Sequence, residues 1–285
     1  MKVSFKKSLF ALVASSALLL AACGTAQKDN NKNGSNGNEK KVLHVGTEAT
    51  FPPFEFVDKG ELTGFDVELL NALGEEAGYK IDMKNTGWDS MLAGLDSKDL
   101  DIGMSGITIK KDRLKSYDFS DPYYESEGFL ILFKDNVEIK NAEDLKNLKV
   151  GVQNGTTGAE AAESVVGQNS KNISKYESSG LMFQALLSGS VDAAVTDKPV
   201  AEEYIKQNPD SNIKSVEDKE RFKPEYYGIA FQKGSPYKED FDKALSTLIE
   251  NGKYTEIYKK WFDEEPKLDS LKDAKTYIDS LREEK

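Results

Sequence analysis

Strand-like and helix-like runs alternate along this chain of 285 residues, and midway the alternation begins again. Val42-Leu43-His44-Val45 reads as a strand, and 64–77 carries Phe65, Val67, Leu69, Leu70 and Leu73 at helical spacing. Residues 81–83 read as a strand, 88–95 as a short helix and 100–104 as a buried strand. After the apolar run Phe129-Leu130-Ile131-Leu132-Phe133 the rhythm restarts. A strand at 150–152 is followed by helices at 157–166 and 181–187, then by a strand at 191–195. Strands joined through helices return to the same side of a sheet, which makes them parallel and covers both faces. The expectation is an α/β protein of two similar lobes, each a mostly parallel sheet flanked by helices. The chain would cross between the lobes near 123–127 and again near 226–229, through two hinge strands. That assigns 42–124 plus 227–266 to lobe 1 and 125–226 to lobe 2. Two helical stretches, 238–251 and 254–262, close the domain. Beyond them, in 267–285, Leu268, Leu271, Ala274, Tyr277, Ile278 and Leu281 recur at helical spacing and predict an added C-terminal helix. In such a fold a ligand sits where the carboxyl ends of the strands converge.

The N-terminus bears on where such a domain works. Lys2, Lys6 and Lys7 precede an apolar run, 8–20, too short to span a bilayer comfortably, and Leu20-Ala21-Ala22-Cys23 ends it. This resembles a bacterial lipobox, in which the cysteine thiol receives a diacylglyceryl group. Two acyl chains, at about 0.8 kcal/mol per buried CH₂, anchor a protein stably. The expectation is a lipoprotein signal peptide at 1–22, a lipid on Cys23, and a flexible tether at 23–41 too polar to bury a core. The protein would sit on the extracytoplasmic face of the cell membrane, held by its lipid alone.

Composition removes several function classes. The formal charge of −11 becomes −14 once Lys2, Lys6 and Lys7 leave with the signal, which opposes nucleic-acid binding. Cys23 is the single cysteine and His44 the single histidine, so neither a disulfide framework, a thiolate or histidine metal site nor a Ser-His pair is expected. His44, inside a strand, reads as structural. No cofactor is expected, and the chain is expected to be a monomer.

Several segments carry polar and aromatic residues at strand ends. Thr47-Glu48-Ala49-Thr50-Phe51-Pro52-Pro53-Phe54-Glu55-Phe56 follows the first strand, and Gly64-Phe65-Asp66-Val67 opens the first helix. Ser105-Gly106-Ile107-Thr108-Ile109-Lys110-Lys111-Asp112-Arg113 follows a buried strand, with Tyr117-Asp118-Phe119-Ser120-Asp121-Pro122-Tyr123-Tyr124 soon after. Gly155-Thr156-Thr157-Gly158 joins a strand to a helix without the following Lys of a phosphate loop. Asp197-Lys198-Pro199 and Tyr258-Lys259-Lys260-Trp261-Phe262 complete the series. Together, from about residue 42 to 266, they resemble the bacterial extracellular solute-binding proteins of family 3, the polar amino-acid receptors of ABC importers. The resemblance implies the two-lobed type II periplasmic-binding-protein fold, a free polar amino acid as ligand and permease membrane subunits as partners.

The chemistry of the residues points the same way. A desolvated amino acid needs a partner for its carboxylate, its ammonium and its side chain. Arg113 offers a planar fork to the carboxylate, and Thr156, Thr157 and the N–H groups opening their helix would complete that pocket. Asp197 would take the ammonium, with carbonyl and hydroxyl groups of Ser105, Gly106 and Thr108 beside it. Phe51 and Trp88 would wall the ligand side chain. The resemblance assigns these same roles to the matching positions. Glu48, on the loop where family members contact the ligand side chain, favours a cationic ligand of the arginine or lysine type, as does Trp88 through its cation–π face. Glutamine remains an alternative, weakened because glutamine receptors of the family often carry Lys and His where this chain has Gln153 and Thr196. A dehydratase on the same fold is the enzyme alternative, with Glu48 as its one candidate acid or base. Capture by hinge closure, without chemistry, is the expected mechanism.

Overall fold

The computed structural model describes residues 40–283. The expected signal peptide, Cys23 and the expected tether up to residue 39 lie outside the described residues. The chain runs through β1 (Val42–Thr47), β2 (Thr50–Phe51), β3 (Glu55–Asp58), β4 (Glu61–Thr63) and α1 (Phe65–Ala77). There follow β5 (Lys80–Asn85), α2 (Trp88–Ser97), β6 (Ile102–Gly103), α3 (Lys111–Ser116), β7 (Tyr117–Phe119) and β8 (Tyr124–Ser126). The second sheet is fed by β9 (Phe129–Lys134), β10 (Val150–Gln153), α4 (Thr157–Val166), β11 (Ile173–Tyr176) and α5 (Ser179–Ser188). Next come β12 (Ala193–Asp197), α6 (Lys198–Gln207), β13 (Ile213–Glu217), β14 (Glu225–Tyr227) and β15 (Ala230–Gln232). Then α7 (Lys238–Glu250), α8 (Lys253–Phe262) and α9 (Leu268–Glu283) finish the chain.

Two sheets define the lobes. The lobe 1 sheet has the order β5-β1-β6-β15-β7 and the lobe 2 sheet the order β11-β10-β12-β9-β13. Each is parallel on one side, at β5-β1-β6 and β11-β10-β12, and antiparallel on the other. The sheets are therefore mixed. The antiparallel half contains β9 and β15, which come straight from the hinge, so they run away from the cleft while the parallel strands run toward it. The crossing itself is a ribbon of β8 paired antiparallel with β14. Residues 226–231, which look like one strand in sequence, are two, broken at Gly228 and Ile229 where the chain leaves the ribbon for the lobe 1 sheet.

Burial follows side-chain period. In β9, Phe129, Ile131 and Phe133 pack with Val150, Val152 and Val195, whereas Leu130 and Leu132 face Met182, Leu186 and Val200. A strand apolar at every position is thus buried on both faces, as a covered sheet requires. In α1, Phe65, Leu69, Leu70 and Leu73 form the inward stripe expected of a 3.6-residue period. His44 lies opposite Asp82 in the neighbouring strand, its Nδ1 3.1 Å from the carboxylate, at the surface and away from the cleft. Helix α9 buries Leu271, Ala274 and Ile278. It is pinned to lobe 1 by Arg282, whose Nη2 donates to the carbonyls of Phe119 at 2.8 Å and Ser120 at 3.2 Å. No helix among the described residues is long and apolar enough to cross a membrane.

Candidate functional site

The carboxyl ends of the parallel strands point into one cleft between the lobes. Glu48 follows β1, Ser105 and Gly106 follow β6, Gly155 to Thr157 follow β10, and Asp197 ends β12. There they line one narrow pocket between the lobes, at the strand ends where such folds gather ligand groups. Glu48, Phe51, Trp88, Ser105, Gly106, Thr108, Arg113, Thr156, Thr157 and Asp197 all line it, together with Gln153, Gly158, Val195 and Thr196. Of these four, the sequence drew attention to Gln153 and Thr196 only as departures from glutamine receptors. Their positions at or near the ends of β10 and β12 are the signal that could have placed them. Among the described residues, no group of His, Cys, Asp or Glu is arranged to hold a metal.

The lobes touch across the cleft. Thr108 Oγ1 lies 3.3 Å from Thr157 Oγ1, Thr50 Oγ1 accepts from the Gly180 N–H at 3.0 Å, and Asn154 Nδ2 donates to Asp89 at 3.3 Å. Gly106 permits the close approach on the lobe 1 side. Its φ is +51°, and a Cβ there would lie 2.9 Å from the Phe51 ring and 3.2 Å from Tyr227.

Arg113 is held by two carbonyls, one from each lobe. Its Nη1 donates to Thr108 O at 3.0 Å and its Nη2 to Gly155 O at 3.3 Å. Its guanidinium carbon stands 5.3 Å from the Trp88 ring centroid, so the indole already has a cation partner within the protein. Arg113 makes no ion pair among the described residues. Burial lowers its pKa, against the raising influence of Glu225, Glu160 and Asp197. The Trp88 Nε1–H is buried without an acceptor.

Asp197 stands at the N-cap position of α6 but makes no capping bond. Instead its Oδ1 accepts from the Tyr227 hydroxyl at 2.5 Å. Burial, and then the nearby Glu225 carboxylate, push its pKa up to about 7. Glu225, on the hinge strand β14, had no signal in the sequence. It accepts from Thr108 at 2.7 Å and from Thr157 at 2.8 Å, one hydroxyl from each lobe. The single hydroxyl proton of Ser105 goes to Glu55 at 2.5 Å. The Ser105 and Thr108 hydroxyls therefore present lone pairs rather than protons, which suits an ammonium better than a carboxylate.

The Thr156 hydroxyl is spent as the N-cap of α4, donating to Gln153 O at 2.9 Å and accepting from the Ala159 N–H at 3.2 Å. With the Thr157 hydroxyl on Glu225, what these threonines offer an anion is backbone. Thr157 and Gly158 open α4, where N–H groups have no partner inside the helix.

Glu48 is 3% exposed. Its carboxylate accepts from the Thr50 hydroxyl, with the Gln153 side chain beside it, but no cation pairs with it among the described residues. Burial raises its pKa, and those two side chains partly restrain the rise.

A cleft of this kind, between two α/β lobes joined by a two-stranded ribbon, defines a type II periplasmic-binding-protein architecture. The chain belongs to the bacterial extracellular solute-binding proteins, family 3, which match residues 43–264. It is 38% identical over 266 residues to a probable histidine-binding protein of Neisseria gonorrhoeae, covering 92% of this chain and 98% of that protein. It is 35% identical over 260 residues to the arginine-binding extracellular protein ArtP of Bacillus subtilis, covering 90% and 98%. Among solved structures it resembles the arginine-, lysine-, histidine-binding protein ArtJ of Geobacillus stearothermophilus. There the TM-score is 0.79 and the identity 51%, over 81% of this chain and all of that one.

Proposed function

We propose that this chain is the amino-acid receptor of an ABC importer and that its ligand is a cationic amino acid of the arginine or lysine type. The observation that carries the reading is the charge balance of the cleft. Two buried carboxylates, Glu48 and Asp197, line it against one cation, Arg113. An arginine or lysine zwitterion supplies the complement, with one carboxylate for Arg113 and two cationic groups for Asp197 and Glu48. An isolated buried carboxylate is costly, so the Glu48 pocket selects for a ligand that ends in a positive group. Two of the similar receptors, ArtP and ArtJ, are named for arginine and support the same class, while others are named for cystine. The contacts that Glu48 makes with Thr50 and Gln153 favour an anchoring carboxylate over a general acid or base. The amino acid would bridge the lobes and shift the population toward the closed form that permease subunits recognise. A lipid on Cys23 would hold the receptor at the outer face of the cell membrane, and Cys23→Ser should release it into the medium.

Calorimetric titration with arginine, lysine, histidine, glutamine and cystine tests the reading. Arginine or lysine should bind most tightly. Glu48→Gln should weaken that ligand by about 1.5–3 kcal/mol, the worth of a hydrogen bond to a charged group. Equal binding of glutamine, or an unchanged arginine affinity in Glu48→Gln, would remove the cationic assignment.

A further inference from the structure

Behind the lobe 1 wall, outside the lining of the cleft, two carboxyl groups meet in the buried interior. Glu55 lies on β3 and Asp66 in the first turn of α1, and both are 0% exposed. Each has one oxygen committed to the ligand-facing loop. Glu55 Oε1 accepts from the Ser105 hydroxyl at 2.5 Å. Asp66 Oδ2 accepts from the Gly106 N–H at 3.0 Å and from the Tyr123 hydroxyl at 2.8 Å. The remaining oxygens, Glu55 Oε2 and Asp66 Oδ1, are buried and find no donor among the described residues. Ser105 and Gly106, neighbours in the chain, hold the two carboxyl groups side by side, close enough to act on each other.

Two ionised carboxylates cannot rest in that geometry. Each keeps a buried oxygen with no donor, beside a second buried carboxyl group and with no cation paired to either among the described residues. A single proton resolves both vacant positions, because a protonated carboxyl gains one O–H donor. We propose that Glu55 and Asp66 share one proton, forming a carboxylic acid–carboxylate clasp that positions Ser105 and Gly106 in the binding loop. Glu55 is the acid and Asp66 the anion. Asp66 receives two donors and sits in the first turn of α1, where the helix dipole favours negative charge, whereas Glu55 receives one hydroxyl.

Burial and the neighbouring acid push Glu55 well above the usual carboxylate range, while burial lifts Asp66 only to about 6. The titratable groups facing the pair are Glu48 on the loop after β1, Tyr123 before β8 and Tyr254 on α8. None of them is cationic. The Ser105 Oγ that gives its proton to Glu55 also accepts the Glu48 backbone N–H at 3.2 Å. The clasp therefore reaches the proposed specificity carboxylate through one serine. Glu55 and Asp66 are positioning residues, since neither lines the cleft.

Infrared spectroscopy of the carboxyl C=O stretch, with thermal unfolding and arginine titration of Glu55→Gln, Asp66→Asn and the double variant, tests the clasp. The wild-type protein should show a protonated carboxyl band at neutral pH that Glu55→Gln diminishes. In Glu55→Gln the amide N–H replaces the acid proton toward Asp66 while its oxygen still accepts from Ser105. In Asp66→Asn the roles exchange and Glu55 becomes the anion. The double variant sets two amide N–H groups against each other, so it should melt well below the sum of the single effects. Glu55→Ala should lose about tenfold or more in arginine affinity through an unpaired buried group, and Glu55→Gln should recover most of it. A protonated-carboxyl band left undiminished by Glu55→Gln would overturn the clasp, the part that Asp197→Asn removes belonging to Asp197. So would a double variant that melts above the wild type, as plain relief of repulsion predicts. The affinity readout rests on the amino-acid reading, whereas the band and the melting do not. Absence of arginine binding with the band intact would thus count against the ligand and leave the clasp standing.

Discussion

The two walls of the cleft are made of different material. Lobe 1 presents side chains: Arg113, Glu48, Phe51 and Trp88, with the Glu55–Asp66 pair behind them. Lobe 2 presents the backbone opening α4 beside the neutral side chains of Gln153 and Thr196, and Asp197 is the one carboxylate it contributes to the lining. A wall of fixed side chains selects, because it can leave a wrong ligand with an unpaired buried charge. A wall of helix N–H groups and one carboxylate recognises what every amino acid shares. This contrast suggests that lobe 1 decides which amino acid is held, whereas lobe 2 reports that one is held. Arg113 breaks the scheme most directly, since it belongs to lobe 1 yet serves the shared carboxylate. Arg113→Ala should cost about 2–5 kcal/mol, the usual loss when one partner of a desolvated charge pair is truncated. Titration should then find little binding of any amino acid, and a loss confined to cationic ligands would reassign Arg113 to selection.

Asp197 tests the lobe 2 side. Asp197→Asn should weaken all amino acids together, by about 1.5–3 kcal/mol. A pH signature accompanies it. With the carboxyl pKa near 7 in the free protein, an arriving ammonium must expel a proton from much of the population below that pH. Affinity should therefore fall as pH drops through about 7, with proton release visible as a buffer-dependent heat, and Asp197→Asn should flatten both. Stability without ligand runs the other way. The folded form holds the proton that the unfolded chain, titrating near 3.8, has already lost, so this contribution declines as pH rises from about 4 to about 7. Thermal stabilisation by arginine should grow over the same interval, and a pH-independent increment would argue that Asp197 does not meet the ammonium.

What the sequence made legible follows from where information is local. Asp197 announces itself because it ends a strand, and Arg113 because it closes a recognisable run that follows one, and strand ends are where such folds gather ligand groups. Glu225 gave no sign, since it lies on the second hinge strand and meets Thr108 and Thr157 only when the lobes are together. The proton between Glu55 and Asp66 was equally hidden. They stand eleven positions apart, and neither shows from sequence which of its oxygens lacks a donor. Trp88 was expected to wall the ligand side chain; it lines the cleft, and what the sequence did not show is the Arg113 guanidinium 5.3 Å from its ring centroid. The half-antiparallel character of the sheets was obscured because β9 and β15 read as ordinary apolar strands, and their direction depends on the hinge.

A third region sharpens the contrast between the walls. Helix α9 begins beyond the matched residues 43–264 and touches the hinge ribbon itself. Lys267 pairs with Glu127, and Lys198 of α6 binds the same carboxylate at 2.5 Å. Between them the two lysines hold Glu127 down to about 2. Ser270 bonds Glu125 and lies 3.3 Å from the Tyr226 hydroxyl, so one end of α9 contacts both hinge strands. The Lys267 side chain is 42% exposed, and exposed ion pairs are worth about 0–1 kcal/mol. Lys267→Ala should accordingly change arginine affinity by less than about fivefold, and added salt should shrink the difference further. An effect above tenfold would mean that the hinge ion pairs, rather than the two walls, set how readily the cleft closes.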